Sequence, residues 1–272
     1  VIFYTLSNWN EQRHIPPKSD VCVASVAGGP GFDVAAVALA AAFLGAPMQR
    51  LRCTVFERWS SWSEPLAALD EQLTARLGTA LGGLPPEKTV TLKLCDVTLP
   101  LSHPDNACLQ LAAENGVDLF IFGYVVHEVE AFLREAGRPI ADGVGGLFPE
   151  LFRICGSRVA AGGSAACTFL FMDATPRLWP ALAATAAPHG FRPYLPGALR
   201  GRGKPREPML LVAQGAPQGG APCRSDVAEA WREADCDKEV ARVASRLATY
   251  EKYLLASDLA RRQSSAEEAV LL

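Results

Sequence analysis

A glycine-rich turn between two apolar runs constrains the fold of this chain more than any other feature. Residues 21–33 read Val-Cys-Val-Ala-Ser-Val-Ala-Gly-Gly-Pro-Gly-Phe-Asp, and an uncharged run covers residues 34–44. The β-branched residues predict a buried strand, the cluster of Gly28, Gly29 and Gly31 predicts a tight turn, and the alanine-rich run predicts a helix. Glycines let a ligand approach the backbone, and the helix N-terminus favours a carboxylate or phosphate. The segment therefore predicts a nucleotide-type binding turn.

The glycine spacing narrows the choice of nucleotide. The dinucleotide fingerprint requires G-x-G-x-x-G, and the phosphate-binding loop requires Gly-Lys-Ser/Thr, whereas no lysine follows Gly31. Residues 25–31 resemble the first motif of class I S-adenosylmethionine-dependent methyltransferases, an acid followed by alternate glycines. Ser25 stands at the acidic position and Ala27 at the first glycine. An ordinary tight turn between a strand and a helix stays open as the alternative.

Composition limits the class of protein and its compartment. The 272 residues, 49% of them hydrophobic and 20% charged, allow one α/β domain with an appendage. A net charge of −3 provides no overall basic field for nucleic acid. The 8 cysteines include no CxxC pair or zinc-type spacing, so we expect no metal and an intracellular location, cytoplasmic or in an organellar matrix. No apolar run is long enough to span a bilayer, and a removed targeting peptide stays open.

Acidic residues end the next two predicted strands. The first, 50–57, ends in Glu57, where an acid in a Rossmann-like sheet accepts hydrogen bonds from ribose hydroxyls. The second, 89–96, ends in Asp96, and the methyltransferase resemblance implies that this acid bonds the adenine amino group, with Val97 lining the same edge of the pocket. Trp59 and Trp62 follow Glu57 closely and are expected to wall the adenine side, although a core or interface role is equally ordinary.

The segment 117–130 predicts the central fourth strand and its exit, which reads Tyr-Val-Val-His-Glu. The resemblance implies that the sulfonium methyl points toward Tyr124 and His127, and one group of related plant O-methyltransferases uses a histidine here as general base. Capping a helix or shaping the pocket is the competing role for His127. Strand five, 165–173, ends in Asp173, close to where the substrate or a metal lies in some members of the family.

The expected architecture is a Rossmann-like α/β fold. It has a seven-stranded, mostly parallel sheet with helices on both faces, a reversed last strand and a C-terminal amphipathic helix. The further predicted elements are helices over 65–81, 106–115, 147–155 and 176–187 and strands over 190–195 and 208–214.

Four regions make up the chain by composition. They are an N-terminal arm or lid at 1–20, the cofactor-binding domain at 21–214, a linker at 215–224 and a helical extension at 225–272. The extension folds back on the domain or forms a contact with a partner or a second copy. One basic stretch is a candidate RNA contact, with a solvated hairpin tip as the alternative; it contains Arg200, Arg202, Lys204 and Arg206.

The predicted function is methyl transfer from S-adenosyl-L-methionine to an oxygen or nitrogen of a small molecule. The alternatives are a methyltransferase-like structural subunit of a larger assembly, such as an organellar ribosome, and an RNA methyltransferase. Tyr124 and His127 are the catalytic candidates. The cofactor-binding candidates are Ser25, Ala27, Gly28, Gly29, Gly31, Asp33, Glu57, Asp96 and Val97.

Overall fold

A computed structural model describes most of the central part of the chain. The described residues are 20–43, 50–80, 90–140, 145–161, 167–174, 176–195 and 208–213. The expectations for the arm before residue 20, the basic stretch at 200–206, the linker at 215–224 and the extension at 225–272 lie outside them.

Seven strands form a single sheet. They are β1 (Asp20–Val26), β2 (Arg50–Glu57), β3 (Val90–Leu94), β4 (Leu119–Gly123), β5 (Thr168–Met172), β6 (Phe191–Tyr194) and β7 (Met209–Ala213). Their order is β3-β2-β1-β4-β5-β7-β6. The first five strands pair in parallel, and β7 is antiparallel to both β5 and β6. The predicted mostly parallel sheet with a reversed last strand is confirmed.

Helices cover both faces of this sheet. They are α1 (Phe32–Phe43), α2 (Ser63–Ala80), α3 (Ala107–Asn115), α4 (Val126–Glu135), α5 (Phe148–Ala160) and α6 (Trp179–Ala186). Alternate residues of β4 face opposite ways, as the pleat of a strand requires. Phe120 and Phe122 join the core under α3 to α6, whereas Ile121 joins the core under α1 and α2.

Stacked phenylalanines hold the two central strands together. The ring centroids of Phe120 and Phe169 are 4.7 Å apart, and those of Phe122 and Phe171 are 5.0 Å apart. Phe152 of α5 meets the Phe169 ring edge to face at 4.9 Å. Such pairs add to the stability gained from burial alone. They fix the relative positions of the strand ends that carry the candidate catalytic residues.

Three element boundaries differ from the sequence expectation. Strand β3 stops at Leu94, so Asp96 lies in the loop beyond it. Helix α5 continues to Ala160, five residues past the expected end. Helix α4 begins at Val126, which places His127 in the first helical turn rather than in an extended strand exit. The reason is Tyr124, whose φ of +61° turns the chain sharply after β4.

Candidate functional site

The carboxyl ends of β1, β2 and β4 meet where the strand order reverses. In sheets of this kind, ligands bind in the crevice at that point. The turn after β1 uses left-handed backbone at three positions: Ala27 (φ +54°), Gly29 (φ +49°) and Gly31 (φ +85°). The first residue of the turn is bound to β2, because the Ala27 N–H donates to the Phe56 carbonyl oxygen at 2.7 Å. The glycine-rich segment thus lies at the crevice.

Position 31 requires glycine because its backbone is left-handed and because two leucine side chains fill the space that a Cβ would need. A Cβ at this position would lie 2.5 Å from Leu66 Cδ2 and 2.8 Å from Leu69 Cδ2. Gly31→Ala should therefore lower the free energy of unfolding by about 1–3 kcal/mol. Gly137→Ala is the matched control, since Gly137 has a φ of +68° but open space around it. Equal losses for the two variants in urea denaturation would contradict the packing argument.

Glu57 joins the end of β2 to the glycine turn. Its Oε2 accepts a hydrogen bond from the Gly29 N–H at 3.1 Å, and its Oε1 accepts one from the Arg58 N–H at 2.8 Å. A carboxylate offers about four acceptor positions, so each oxygen keeps capacity for one more donor. Glu57 is partly exposed. The carboxylate is therefore held in place and can still bind two further hydroxyl groups.

Gly29 carries no side chain on the side of the turn that faces Trp62. The nearest atoms to a Cβ built there are two ring carbons of Trp62, at 3.8 and 3.9 Å. Trp59, in contrast, is 61% exposed, and the Arg58 guanidinium lies 5.5 Å from its ring centroid. Of the two tryptophans after β2, Trp62 flanks the turn while Trp59 forms a cation–π pair at the surface.

Asp96 is held by its own loop. Its Oδ1 accepts hydrogen bonds from the Thr98 N–H at 3.0 Å and the Thr98 hydroxyl at 2.6 Å, and its Oδ2 lies 3.5 Å from Arg58 Nε. The residue is buried, whereas the Arg58 side chain is 60% exposed. A purine amino group at Asp96 Oδ2 would have to displace or share this arginine. Sequence reasoning missed Arg58, although it directly follows the acid of β2.

A buried asparagine braces the loop that holds Asp96. Asn106 Oδ1 accepts from the Asp96 N–H at 2.8 Å, and its Nδ2 donates to the carbonyl oxygens of Asp96, Leu99 and Pro100. Val97, predicted to line the pocket, is buried in the hydrophobic core. This loop is consequently a rigid support for the end of β3.

Ser25, Asp33 and Gly123 meet at the junction of β1, α1 and β4. The Ser25 hydroxyl donates to Asp33 Oδ2 at 3.0 Å. A Cβ built on Gly123 would be 3.1 and 3.2 Å from the two Asp33 oxygens, so a side chain here would require the carboxylate to move by a few tenths of an ångström. A Cβ on Gly28 would clash with the Ser25 side chain. These contacts bring three of the predicted cofactor-binding residues, Ser25, Gly28 and Asp33, into one place.

Burial raises the pKa of Asp33 above its ordinary value, and the Ser25 hydrogen bond opposes this only in part. The folded protein therefore holds this proton more tightly than the unfolded chain. This tighter proton binding contributes to the free energy of unfolding. The contribution is complete below the ordinary pKa of aspartate, about 4, and is lost as pH rises through the raised pKa of Asp33.

Replacing Asp33 by asparagine should change how the stability of the ligand-free protein depends on pH. The free energy of unfolding of Asp33→Asn, relative to that of the parent, should rise as pH increases from the ordinary pKa of aspartate through the raised pKa of Asp33. The reason is that only the parent loses the contribution of this proton. Urea denaturation of both proteins at several pH values measures it. A difference that stays constant or falls with pH would be the opposite result.

His127 and Asp173 face each other across the ends of β4 and β5. Asp173 Oδ2 accepts from the His127 backbone N–H at 2.8 Å, and Oδ1 contacts the buried ring Nδ1. The Asp173 side chain is 1% exposed and that of His127 is 31% exposed. A carboxylate at Nδ1 selects the tautomer that leaves Nε2 as the acceptor. Tyr124, which directly follows β4, is exposed.

The predicted residues thus fall into neighbouring groups along one edge of the sheet: the turn with Glu57, the Ser25–Asp33 pair, Asp96 with Arg58, and His127 with Asp173. Within the described ranges, no group of three or more His, Cys, Asp or Glu side chains is placed to hold a metal ion. In the same part of the chain, no helix is both long and apolar enough to cross a membrane.

Comparison with known proteins gives distant structural likenesses. No protein-family model and no curated protein matches the sequence. The chain is similar to a precorrin-6y C5,15-methyltransferase from Geobacter metallireducens, at 12% identity and a TM-score of 0.42 over 77% of this chain and 87% of that chain. It is similar to a methyltransferase from Pyrococcus furiosus at 9% identity and a TM-score of 0.42, over 78% of this chain and 83% of that chain.

A third similar structure is the CMeT domain of the citrinin polyketide synthase, at 12% identity and a TM-score of 0.45. The alignment covers 79% of this chain and 52% of that chain, so this chain spans about half the length of that one.

Proposed function

We propose that this chain binds S-adenosyl-L-methionine and transfers its methyl group to an oxygen or nitrogen of a small molecule. One observation carries the proposal: the Glu57 carboxylate is bound to the Gly29 N–H and keeps two acceptor positions. A glycine turn and a strand-two acid joined in this way suit a nucleoside with two vicinal hydroxyls. The sequence of the turn favours the methionine-bearing nucleoside over a dinucleotide.

The residues at the crevice fit such a ligand. Gly29 has no side chain to block approach to the backbone, and the Trp62 ring offers a flat apolar surface beside it. Glu57 would hold the ribose hydroxyls. Asp96 would hold the adenine amino group through Oδ2, with Arg58 displaced toward Trp59.

When bound, S-adenosylmethionine supplies a methyl group on a positively charged sulfur. Transfer of this methyl group depends more on its alignment with the acceptor atom than on further activation. The chain contributes orientation. The turn is fixed to β2 through Ala27 and Glu57, and the phenylalanine stack fixes the ends of β4 and β5. Donor and acceptor sites on these strand ends would therefore keep a constant separation.

His127 is the group we assign to the acceptor proton. Its Nδ1 is occupied by Asp173, so Nε2 is the nitrogen that can accept a proton from a hydroxyl acceptor. An amine that is already neutral would not need this step. The pair therefore favours a hydroxyl-bearing acceptor, such as a phenol, over an amine.

Isothermal titration of the full chain with S-adenosylmethionine and S-adenosylhomocysteine tests the proposal. We expect saturable binding of both ligands at a single site. No heat with either ligand at high protein concentration would overturn it and would favour the alternative, a methyltransferase-like fold kept as a structural subunit.

A further inference from the structure

The Arg58 side chain lies against the carboxylate that we assign to the base of the nucleoside. Its Nε is 3.5 Å from Asp96 Oδ2, and its guanidinium carbon is 5.5 Å from the ring centroid of Trp59. The backbone at this position is held, because the Arg58 N–H donates to Glu57 Oε1 at 2.8 Å. The side chain, in contrast, is 60% exposed. Arg58 can therefore change its side-chain contacts without moving the end of β2.

The two oxygens of Asp96 have different partners. Oδ1 accepts from both the N–H and the hydroxyl of Thr98, at 3.0 and 2.6 Å. Oδ2 faces Arg58 at a distance longer than the about 2.7–2.9 Å of a charge-assisted hydrogen bond. Because the Asp96 side chain is only 10% exposed and is bound by its own loop, the arginine is the mobile member of the pair. A base that reaches Oδ2 therefore meets Arg58 there.

Moving Arg58 away from Asp96 costs little free energy. Ion pairs of exposed side chains are weak, because solvent screens the charges and a long side chain loses conformational freedom. The exposed Trp59 ring also lies close enough to keep the guanidinium as a cation–π partner. The contact with Asp96 can thus be kept or given up according to the ligand.

The group at position 6 of a purine decides which of these occurs. A 6-amino group is a donor, so it competes with Arg58 for Asp96 Oδ2. A 6-oxo group is an acceptor, which a bare carboxylate would repel. A guanidinium between the two oxygens would instead donate to both of them. The arginine therefore opposes one kind of base and favours the other.

We propose that Arg58 sets the base specificity of the nucleoside site: it leaves Asp96 when a 6-aminopurine binds and stays when a 6-oxopurine binds. The inference rests on the proposed function and adds 6-oxopurine nucleosides to the ligands that the site accepts. Arg58 lowers the affinity for adenine and supplies the donor for hypoxanthine. The site consequently discriminates less between these bases than Asp96 alone would.

The test compares S-adenosylhomocysteine with S-inosylhomocysteine, which carries an oxygen in place of the 6-amino group. Each ligand is titrated calorimetrically into the full-length parent, the Arg58→Ala variant and the control Arg52→Ala. Arg52 is a matched arginine, because its side chain is 57% exposed and forms an ion pair with Asp20 at 3.1 Å. It lies within β2, whereas Arg58 directly follows that strand.

Arg58→Ala should tighten the binding of S-adenosylhomocysteine about two- to fivefold, because a competing surface ion pair is removed. It should weaken the binding of S-inosylhomocysteine about ten- to a hundredfold, the effect of losing one hydrogen bond from a charged donor. A general disturbance of the crevice would not move the two affinities in opposite directions. Arg52→Ala should bind both ligands like the parent.

A change of the same sign for both ligands, or no change for either, would overturn the inference while leaving the proposed function intact. If Arg58→Ala does not fold, the parent alone decides: its affinities for the two ligands should lie within about tenfold of each other. A larger preference for S-adenosylhomocysteine would refute the role of Arg58. Failure of the parent to bind S-adenosylhomocysteine would instead refute the proposed function.

Discussion

Glu57→Ala should weaken the binding of S-adenosylhomocysteine by about a hundredfold or more. The change removes two charge-assisted acceptor positions for the ribose, each about ten- to a hundredfold in affinity, and releases the Gly29 N–H that Glu57 holds at 3.1 Å. Because Glu57 is partly exposed, we expect the variant to fold. Titration calorimetry measures the affinity, and circular dichroism with urea unfolding verifies the fold.

Glu64→Ala is the matched control for this prediction. Glu64 lies in the first turn of α2, close in sequence to Glu57, and is exposed. It should bind the ligand like the parent. Parent-like affinity in Glu57→Ala would mean that the carboxylate serves only to brace the turn.

His127→Gln should slow methyl transfer to a hydroxyl acceptor by about 10²- to 10⁴-fold, the usual contribution of a general base. The ring Nδ1 is buried against Asp173 and the side chain is 31% exposed, so the variant removes Nε2, the ring nitrogen left as the acceptor. Affinity for S-adenosylhomocysteine should stay unchanged, since none of the cofactor contacts assigned above involves His127. Transfer of a tritiated methyl group to a panel of phenols and thiols measures the rates.

The comparison of acceptors separates a base from a structural histidine. A thiol at a pH where it is already ionised should lose far less rate than a phenol, because no proton has to be removed. His103→Gln, in the loop before α3, is the control and should keep parent rates. Equal losses for phenols and thiols would show that His127 only shapes the pocket.

The parts of the site that depend on chain order could be predicted from the sequence. Parallel strands end at the same edge of a sheet, so a glycine turn after β1 and an acid at the end of β2 had to be neighbours. The Gly29–Glu57 hydrogen bond is the result. The seven-stranded sheet followed in the same way from the alternation of apolar runs and helical patterns.

Contacts that depend on register and on helix rotation could not be predicted. The pairing of Gly123 with Met172 brings His127 and Asp173 together, and no local pattern encodes that register. The Ser25–Asp33 contact depends on how α1 leaves the turn. Arg58 reaches Asp96 only because the loop after β3 folds back around Asn106, whose role is invisible in the sequence.

We expect one nucleoside to lie across the ends of β1, β2 and β3. A crystal structure of the full chain with S-adenosylhomocysteine tests it most directly. We expect both ribose hydroxyls within hydrogen-bonding distance, about 2.5–3.0 Å, of the Glu57 carboxylate and the purine beside Asp96. A ligand bound away from the glycine turn, or with its ribose facing another side chain, would contradict the account.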